Sequence, residues 1–183
     1  MKFALRLARQ EDRLALRSLI ERSARELLAS FYTKRQIESA LETVLAVDSQ
    51  LIEDGTFFVA VNGETILGCG GWSRRKTPFG GDHGAYRDSA LLAPGTDAAR
   101  VRAFFVDPGW ARRGIGTAIL AACEQAASEE GFRTLELVAT LGGVPLYECR
   151  GFVAVERFDV DLSDGERIPV IRMNKSLSAL TEA

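Results

Sequence analysis

The chain has 183 residues, 46% of them hydrophobic and 26% charged, which suits a single globular domain over 1–183 with a sizeable buried core. That balance excludes the disordered and membrane-embedded classes, and a net charge of −2 without a dense basic block leaves no electrostatic footprint for nucleic acid or a membrane surface. Lys2 and Arg6 interrupt the apolar N-terminal residues, so neither a signal peptide nor a membrane span is expected and the chain reads as cytoplasmic.

Residues 3–7 alternate apolar and polar and predict a short first strand. Leu16, Leu19, Ile20, Leu27 and Leu28 then recur at helical spacing. Thr33 followed by Gln36 fits a capping box, and Ile37, Leu41, Val44 and Leu45 carry a second helix to about Val47, with a break at 30–32. Two β-rich runs, 56–61 and 65–72, flank Asn62-Gly63 and predict a hairpin. The stretch 73–99 lacks periodicity and carries Pro78, Gly80, Gly81, Gly84, Pro94 and Gly95, so it reads as a long loop. A strand over 101–106, a turn over 107–113 and an alanine-rich helix over 115–130 follow, the helix stopped by Gly131. A strand over 134–139 leads to a short helix from Pro145 to Arg150 capped by Gly151, and two last strands flank Asp164-Gly165. Cys69, Cys123 and Cys149 are odd in number and widely spaced, which fits neither a disulfide framework nor a zinc site, and no metal is expected.

The most informative stretch is FFVDPGWARRGIGTAIL, Phe104 to Leu120, where a strand passes through a turn directly into a helix with glycines at its entrance. The first turn of a helix carries N–H groups without partners and a partial positive charge. Gly114 and Gly116 let an anion approach without a Cβ in the way, and Arg112 and Arg113 add charge that favours a pyrophosphate. Two familiar phosphate loops fail on the same residues. Gly109 to Gly114 has Walker A glycine spacing, but Ile115 and Gly116 stand where lysine and serine or threonine are required. A dinucleotide fingerprint needs a glycine where Ile119 stands.

Ala111-Arg112-Arg113-Gly114-Ile115-Gly116 resembles motif A of the GNAT N-acetyltransferase superfamily: glutamine or arginine, two variable residues, glycine, a variable residue, then glycine or alanine. Ala111 departs from it at the first position. LYECRGF, Leu146 to Phe152, resembles that family's closing motif, with Tyr147 four residues before Gly151-Phe152 and Thr140 where an asparagine is often found. The resemblance spans essentially the whole chain. It implies an α/β (α+β) fold: a single mixed, mostly antiparallel twisted sheet flanked by helices, with splayed central strands.

The resemblance also implies an acyltransferase that uses acetyl-CoA as co-substrate and acts by direct transfer on a small-molecule or peptide amine. Main-chain groups of Phe104, Phe105 and Val106 would bind the pantetheine arm as an added strand does. The backbone of Arg112, Arg113, Gly114, Ile115, Gly116 and Thr117 would take the pyrophosphate. Tyr147 is the implied general acid, since a phenol with a pKa near ~10 stays protonated at neutral pH. His83 and Glu136 stand as alternative bases, with no choice between them. The acceptor is expected between the helix break at 30–33 and the loop from Trp72, with Tyr32 and Trp72 as aromatic walls and Arg74, Arg75 or Asp82 orienting a charged group. No nucleic acid or membrane partner is expected, and a homodimer is compatible with the sequence. The rival readings are a non-catalytic coenzyme A or acyl-CoA-binding module and an enzyme that transfers a longer acyl chain.

Overall fold

The computed structural model describes residues 2–177. Seven strands form one sheet: β1 (Ala4–Leu7), β2 (Phe57–Asn62), β3 (Thr65–Ser73), β4 (Ala99–Val106), β5 (Thr134–Thr140), β6 (Val153–Asp161) and β7 (Arg167–Ser176). Their spatial order is β1-β2-β3-β4-β5-β7-β6. Every neighbouring pair is antiparallel except β4 with β5. Among the described residues five α-helices flank it: α1 (Arg13–Leu27), α2 (Lys34–Thr43), α3 (Ser49–Glu53), α4 (Ile115–Glu129) and α5 (Val144–Cys149). The mixed, mostly antiparallel sheet with helices on its faces is the architecture that the motifs imply.

Each face of the sheet has its own core. Ile115, Ile119, Leu120, Cys123 and Ala127 of α4 form the buried stripe of an amphipathic helix against Leu135, Leu137 and Met173. On the other face Leu16, Leu19 and Ile20 of α1 pack with Leu51, Phe57 and Val59. Beside them Ile37 and Ala40 of α2 meet Val160, Ile168 and Val170. Because β3 is covered on both faces, eight of its nine residues are buried.

Several boundaries differ from the sequence expectation for local reasons. The capping box forms, Thr33 Oγ1 accepting from the Gln36 N–H at 3.2 Å and Gln36 Oε1 accepting from the Thr33 N–H at 2.9 Å. The helix it starts ends at Thr43 rather than Val47, because the chain turns inward to bury Asp48. The five-residue α3 that follows is too short for helical periodicity to reveal. In the first hairpin Asn62 pairs with Thr65, so the two-residue loop is Gly63-Glu64 with Gly63 alone at positive φ, the pattern of a II′ rather than a I′ turn. The 74–98 stretch is partly paired: Lys76 N donates to Ala90 O, Thr77 N to Asp88 O and Leu92 N to Arg74 O, at 2.8–2.9 Å.

The central feature is the parting of β4 from β5. They pair only through Ala99–Leu135, Arg100–Glu136 and Val101–Leu137, although β4 runs on to Val106 and β5 to Thr140. Opposite β3, Cys69 pairs with Phe105 and Gly71 with Arg102, so Ala103 and Phe104 together face Gly70. That is a β-bulge, and Ala103 takes a left-handed φ of 61° to make it. Only glycine fits at residue 70, where a Cβ would lie 2.6 Å from the Phe104 ring. The bulge bends β4 off β5 and opens a split in the sheet.

Candidate active site

At the foot of the split the chain turns into α4. A 3₁₀ turn at Pro108–Trp110 is fixed by Asp107, whose Oδ1 accepts from the Gly109 N–H at 2.9 Å and whose Oδ2 accepts from Arg22 of α1 at 2.9 Å. Arg112 (φ 62°) and Gly114 (φ 84°) are both left-handed, and between them they aim α4 into the sheet. The first helical bond runs from the Ala118 N–H to Gly114 O at 2.9 Å, so the N–H groups of Ile115, Gly116 and Thr117 have no helical acceptor. Ile115 is a core side chain and offers the loop only its backbone. Arg112 and Arg113 are exposed, Arg113 lies over the Trp110 ring at 5.1 Å, and among the described residues neither is in an ion pair. Space in front of Gly114 is open, since a Cβ there would meet nothing within 4 Å. Three free amides, the unpaired Arg112 guanidinium and that space suit a pyrophosphate, with Arg113 close by on the Trp110 ring.

A cavity of about 550 Å³ runs from this loop through the split. Phe104, Phe105, Val106, Arg112, Gly114, Ile115, Gly116, Thr117 and Tyr147 all line it, whereas Arg113 does not. Val106 N–H, turned away from β3, donates to Ser23 Oγ on α1 at 3.3 Å. Tyr147 is 7% exposed and packs edge-on against Phe104 (6.0 Å between centroids) and Phe152 (5.7 Å). The end of α5 fixes it there: Tyr147 O accepts from both the Arg150 and Phe152 N–H groups at 3.0 Å while Gly151 turns the chain at φ 84°. Burial, with the Cys123 thiol as a lesser contributor, pushes its phenol well above the usual 10.0. Among the described residues no hydrogen bond engages the Tyr147 hydroxyl, which leaves it free to donate.

The acceptor walls expected from sequence are elsewhere. Trp72 is 2% exposed, lies edge-on to Phe132 at 5.9 Å in the α4-side core and does not line the cavity. Tyr32 is 6% exposed and is a structural bridge: its hydroxyl donates to Pro169 O and accepts from the Leu141 N–H, both at 2.8 Å. Arg74 pairs with Glu130 at 2.8 Å, Arg75 pairs with Asp54 at 2.7 Å, and Asp82 accepts from Ser49 and Arg13. Neither alternative base reaches the cavity. Glu136 is bonded to Arg100, and His83 lines a separate groove between α1 and α2.

What sequence reasoning missed is the other wall. Phe79, Val138, Val160, Ile168 and Val170 line the cavity on the α1–α2 side, drawn from a loop and three strands that no local motif connects. Below them Arg102 is buried, its Nε 3.2 Å from Asp48 Oδ2 and its Nη1 donating to Thr77 O at 3.1 Å. Arg87 approaches the same carboxylate at 3.5 Å. Burial pushes the Asp48 carboxyl up against the pull of these two guanidiniums. An arginine inside the apolar run of β4 was the available sign. Among the described residues no helix is long and apolar enough to cross a membrane.

The sequence profile of the acetyltransferase (GNAT) family matches residues 17–152. No curated protein matches the chain. Among solved structures, a GCN5-related N-acetyltransferase from Rhodopseudomonas palustris superposes with a TM-score of 0.71 at 22% identity, over 97% of each chain. PaiA N-acetyltransferase from Thermoplasma acidophilum, solved in complex with coenzyme A, gives 0.66 at 16% identity over 96% of this chain and 99% of that one. Ard1 from Thermoplasma volcanium gives 0.61 at 17% identity over 97% and 99%. At these identities the likeness is one of fold.

Proposed function

Since the chain belongs to the acetyltransferase (GNAT) family, we propose that it moves the acetyl group of acetyl-CoA directly onto the amine of a small molecule or peptide, with Tyr147 as general acid. The observation that carries this reading is the shared cavity: the free amides at the start of α4 and the Tyr147 side chain line one space that passes through the β4–β5 split.

Acetyl-CoA supplies an activated thioester and a thiolate leaving group. The residues of the chain bind, orient and hold a proton. The N–H groups of Ile115, Gly116 and Thr117 hold the pyrophosphate, with Gly114 leaving room and Arg112 and Arg113 adding charge. Backbone groups of Phe104, Phe105 and Val106, on the edge of β4 that β5 has left, align the pantetheine arm. Tyr147 keeps its proton because burial disfavours the phenolate, and it passes that proton to sulfur as the carbon–sulfur bond breaks. The proton lost from nitrogen goes to solvent, from which Tyr147 is reprotonated. Apolar walls around the split keep bulk water from competing for the acyl group.

The test is calorimetric titration with acetyl-CoA followed by thiol release over an amine panel, with the product identified by mass. Binding together with an acetylated amine supports the reading. Binding without release from any acceptor would instead describe a coenzyme A-binding module.

A further inference from the structure

The cavity has two chemically different ends. Near α4 it offers amides and Arg112, while on the α1–α2 side it is walled by Phe79, Val138, Val160, Ile168 and Val170. The charged residue at that second end is Arg102, whose buried guanidinium is already held by Asp48 and Thr77 O, with Arg87 on the far oxygen of Asp48. Among the described residues lining the cavity there is no aspartate, glutamate or histidine. An ammonium ion entering here would leave water, find no anion to pair with, and approach a guanidinium instead. Among the described residues there is also no side chain lining this end that could take a proton from it.

We propose that the acceptor is an apolar amine of low basicity, one that enters this lobe already uncharged, and that strongly basic amines and polyamines are poor substrates. The inference rests on the acetyl-transfer reading above and narrows its substrate class. The new carbon–nitrogen bond forms from the nitrogen lone pair as the carbon–sulfur bond breaks. One nitrogen-bound proton is released to water, and sulfur is protonated from Tyr147, so no further reactant is required. The available fraction of each amine sets the discrimination. At pH 7 an amine of lysine-like basicity is neutral in about one molecule in 2,500, whereas an α-amine of peptide type is neutral in about one in six to one in eleven. An arylamine is neutral throughout.

Thiol release by the wild-type protein at saturating acetyl-CoA, with 4-methylaniline, phenylalanine amide, phenethylamine and spermidine, tests this. We expect kcat/KM at pH 7 to exceed that for phenethylamine by about 10²-fold for phenylalanine amide and by about 10³-fold for 4-methylaniline, in line with neutral fraction. Spermidine should not turn over. Between pH 7 and 8.5 the phenethylamine value should rise about tenfold per unit while that of 4-methylaniline stays flat. Comparing 4-methylaniline with phenylalanine amide distinguishes an arylamine from an α-amine as the preferred source. Efficient use of spermidine, or a flat phenethylamine profile, would show an anionic partner or internal base and overturn the inference while leaving acetyl transfer standing. No release from any of the four, with acetyl-CoA still bound, overturns both.

Discussion

Replacing Tyr147 by phenylalanine separates chemistry from folding at this site. The ring lies edge-on to Phe104 and Phe152 at 6.0 and 5.7 Å, and phenylalanine retains both contacts. Among the described residues the hydroxyl has no partner to lose, so the variant should melt within a few degrees of the wild type, or slightly higher. Acetyl-CoA affinity should hardly change, because the hydroxyl acts on the leaving sulfur and not on the phosphates or the pantetheine arm. The loss falls on kcat, by roughly 10² to 10⁴-fold for a general acid, which is about 2.7 to 5.5 kcal/mol of barrier. Thiol release at saturating acetyl-CoA and acceptor, with calorimetry and a thermal melt on the same preparation, measures all three quantities. A variant that turns over at the wild-type rate with chemistry limiting refutes the assignment of the acid. A variant that also loses acetyl-CoA affinity refutes the separation of roles.

Other outcomes follow from the same contacts. At Gly116 a Cβ would already lie 3.0 Å from Leu146 Cδ2, so Gly116→Val should weaken acetyl-CoA binding at least tenfold in calorimetry with modest thermal destabilisation. Gly114→Val should lose binding too, but adds about 1–2 kcal/mol of folding cost because its backbone sits at φ 84°. Trp72→Ala should cost about 3–5 kcal/mol in denaturant unfolding without a specific effect on acceptor KM, since the ring is core and not cavity wall. Stability should fall at alkaline pH: burial pushes the Cys69 thiol from 9.0 up to about 12 and also raises Cys123, Tyr32 and Tyr147. The unfolded chain therefore releases protons that the fold retains, and each pH unit from 9 to 12 should remove about 1.4 kcal/mol through Cys69 alone, measurable by urea unfolding.

The parts of the fold that could be read from sequence are those whose determinants are local. The capping box at Thr33, the glycine-flanked start of α4, the turn at Asp164-Gly165 and the Gly151 stop after Tyr147 each involve residues within a few positions of one another. The acceptor side was illegible because its determinants are distant. Trp72 is the penultimate residue of β3, a strand buried on both faces, so alternation gives no clue to which side is open. Asp48 and Arg102 meet across 54 residues, and Arg100 reaches Glu136 only through the parallel register of β4 and β5. Tyr32 beside the helix break reads from sequence as an acceptor wall, but its hydroxyl donates to Pro169 O and accepts from the Leu141 N–H, so it ties that break to β7 and the end of β5 instead.

The bulge in β4 joins these two halves of the problem. No sequence rule places a left-handed residue at Ala103, because alanine is not a turn former and the strain is tolerated only where the surroundings fix it. Cys69 Sγ at 3.5 Å from Ala103 O and the Phe104 ring against Gly70 supply that fixing from β3. The result is a strand that satisfies β3 on one edge and leaves β5 on the other after Val101. Backbone donors and acceptors on a parted edge need partners, and the long 3.3 Å bond from the Val106 N–H to Ser23 is a weak one. Under the proposed function, the pantetheine amides are the stronger partners that complete this edge. On this argument the GCGG run of β3 belongs to the active site as much as the glycines of α4 do, since any side chain at residue 70 displaces Phe104 and with it the contact that holds Tyr147.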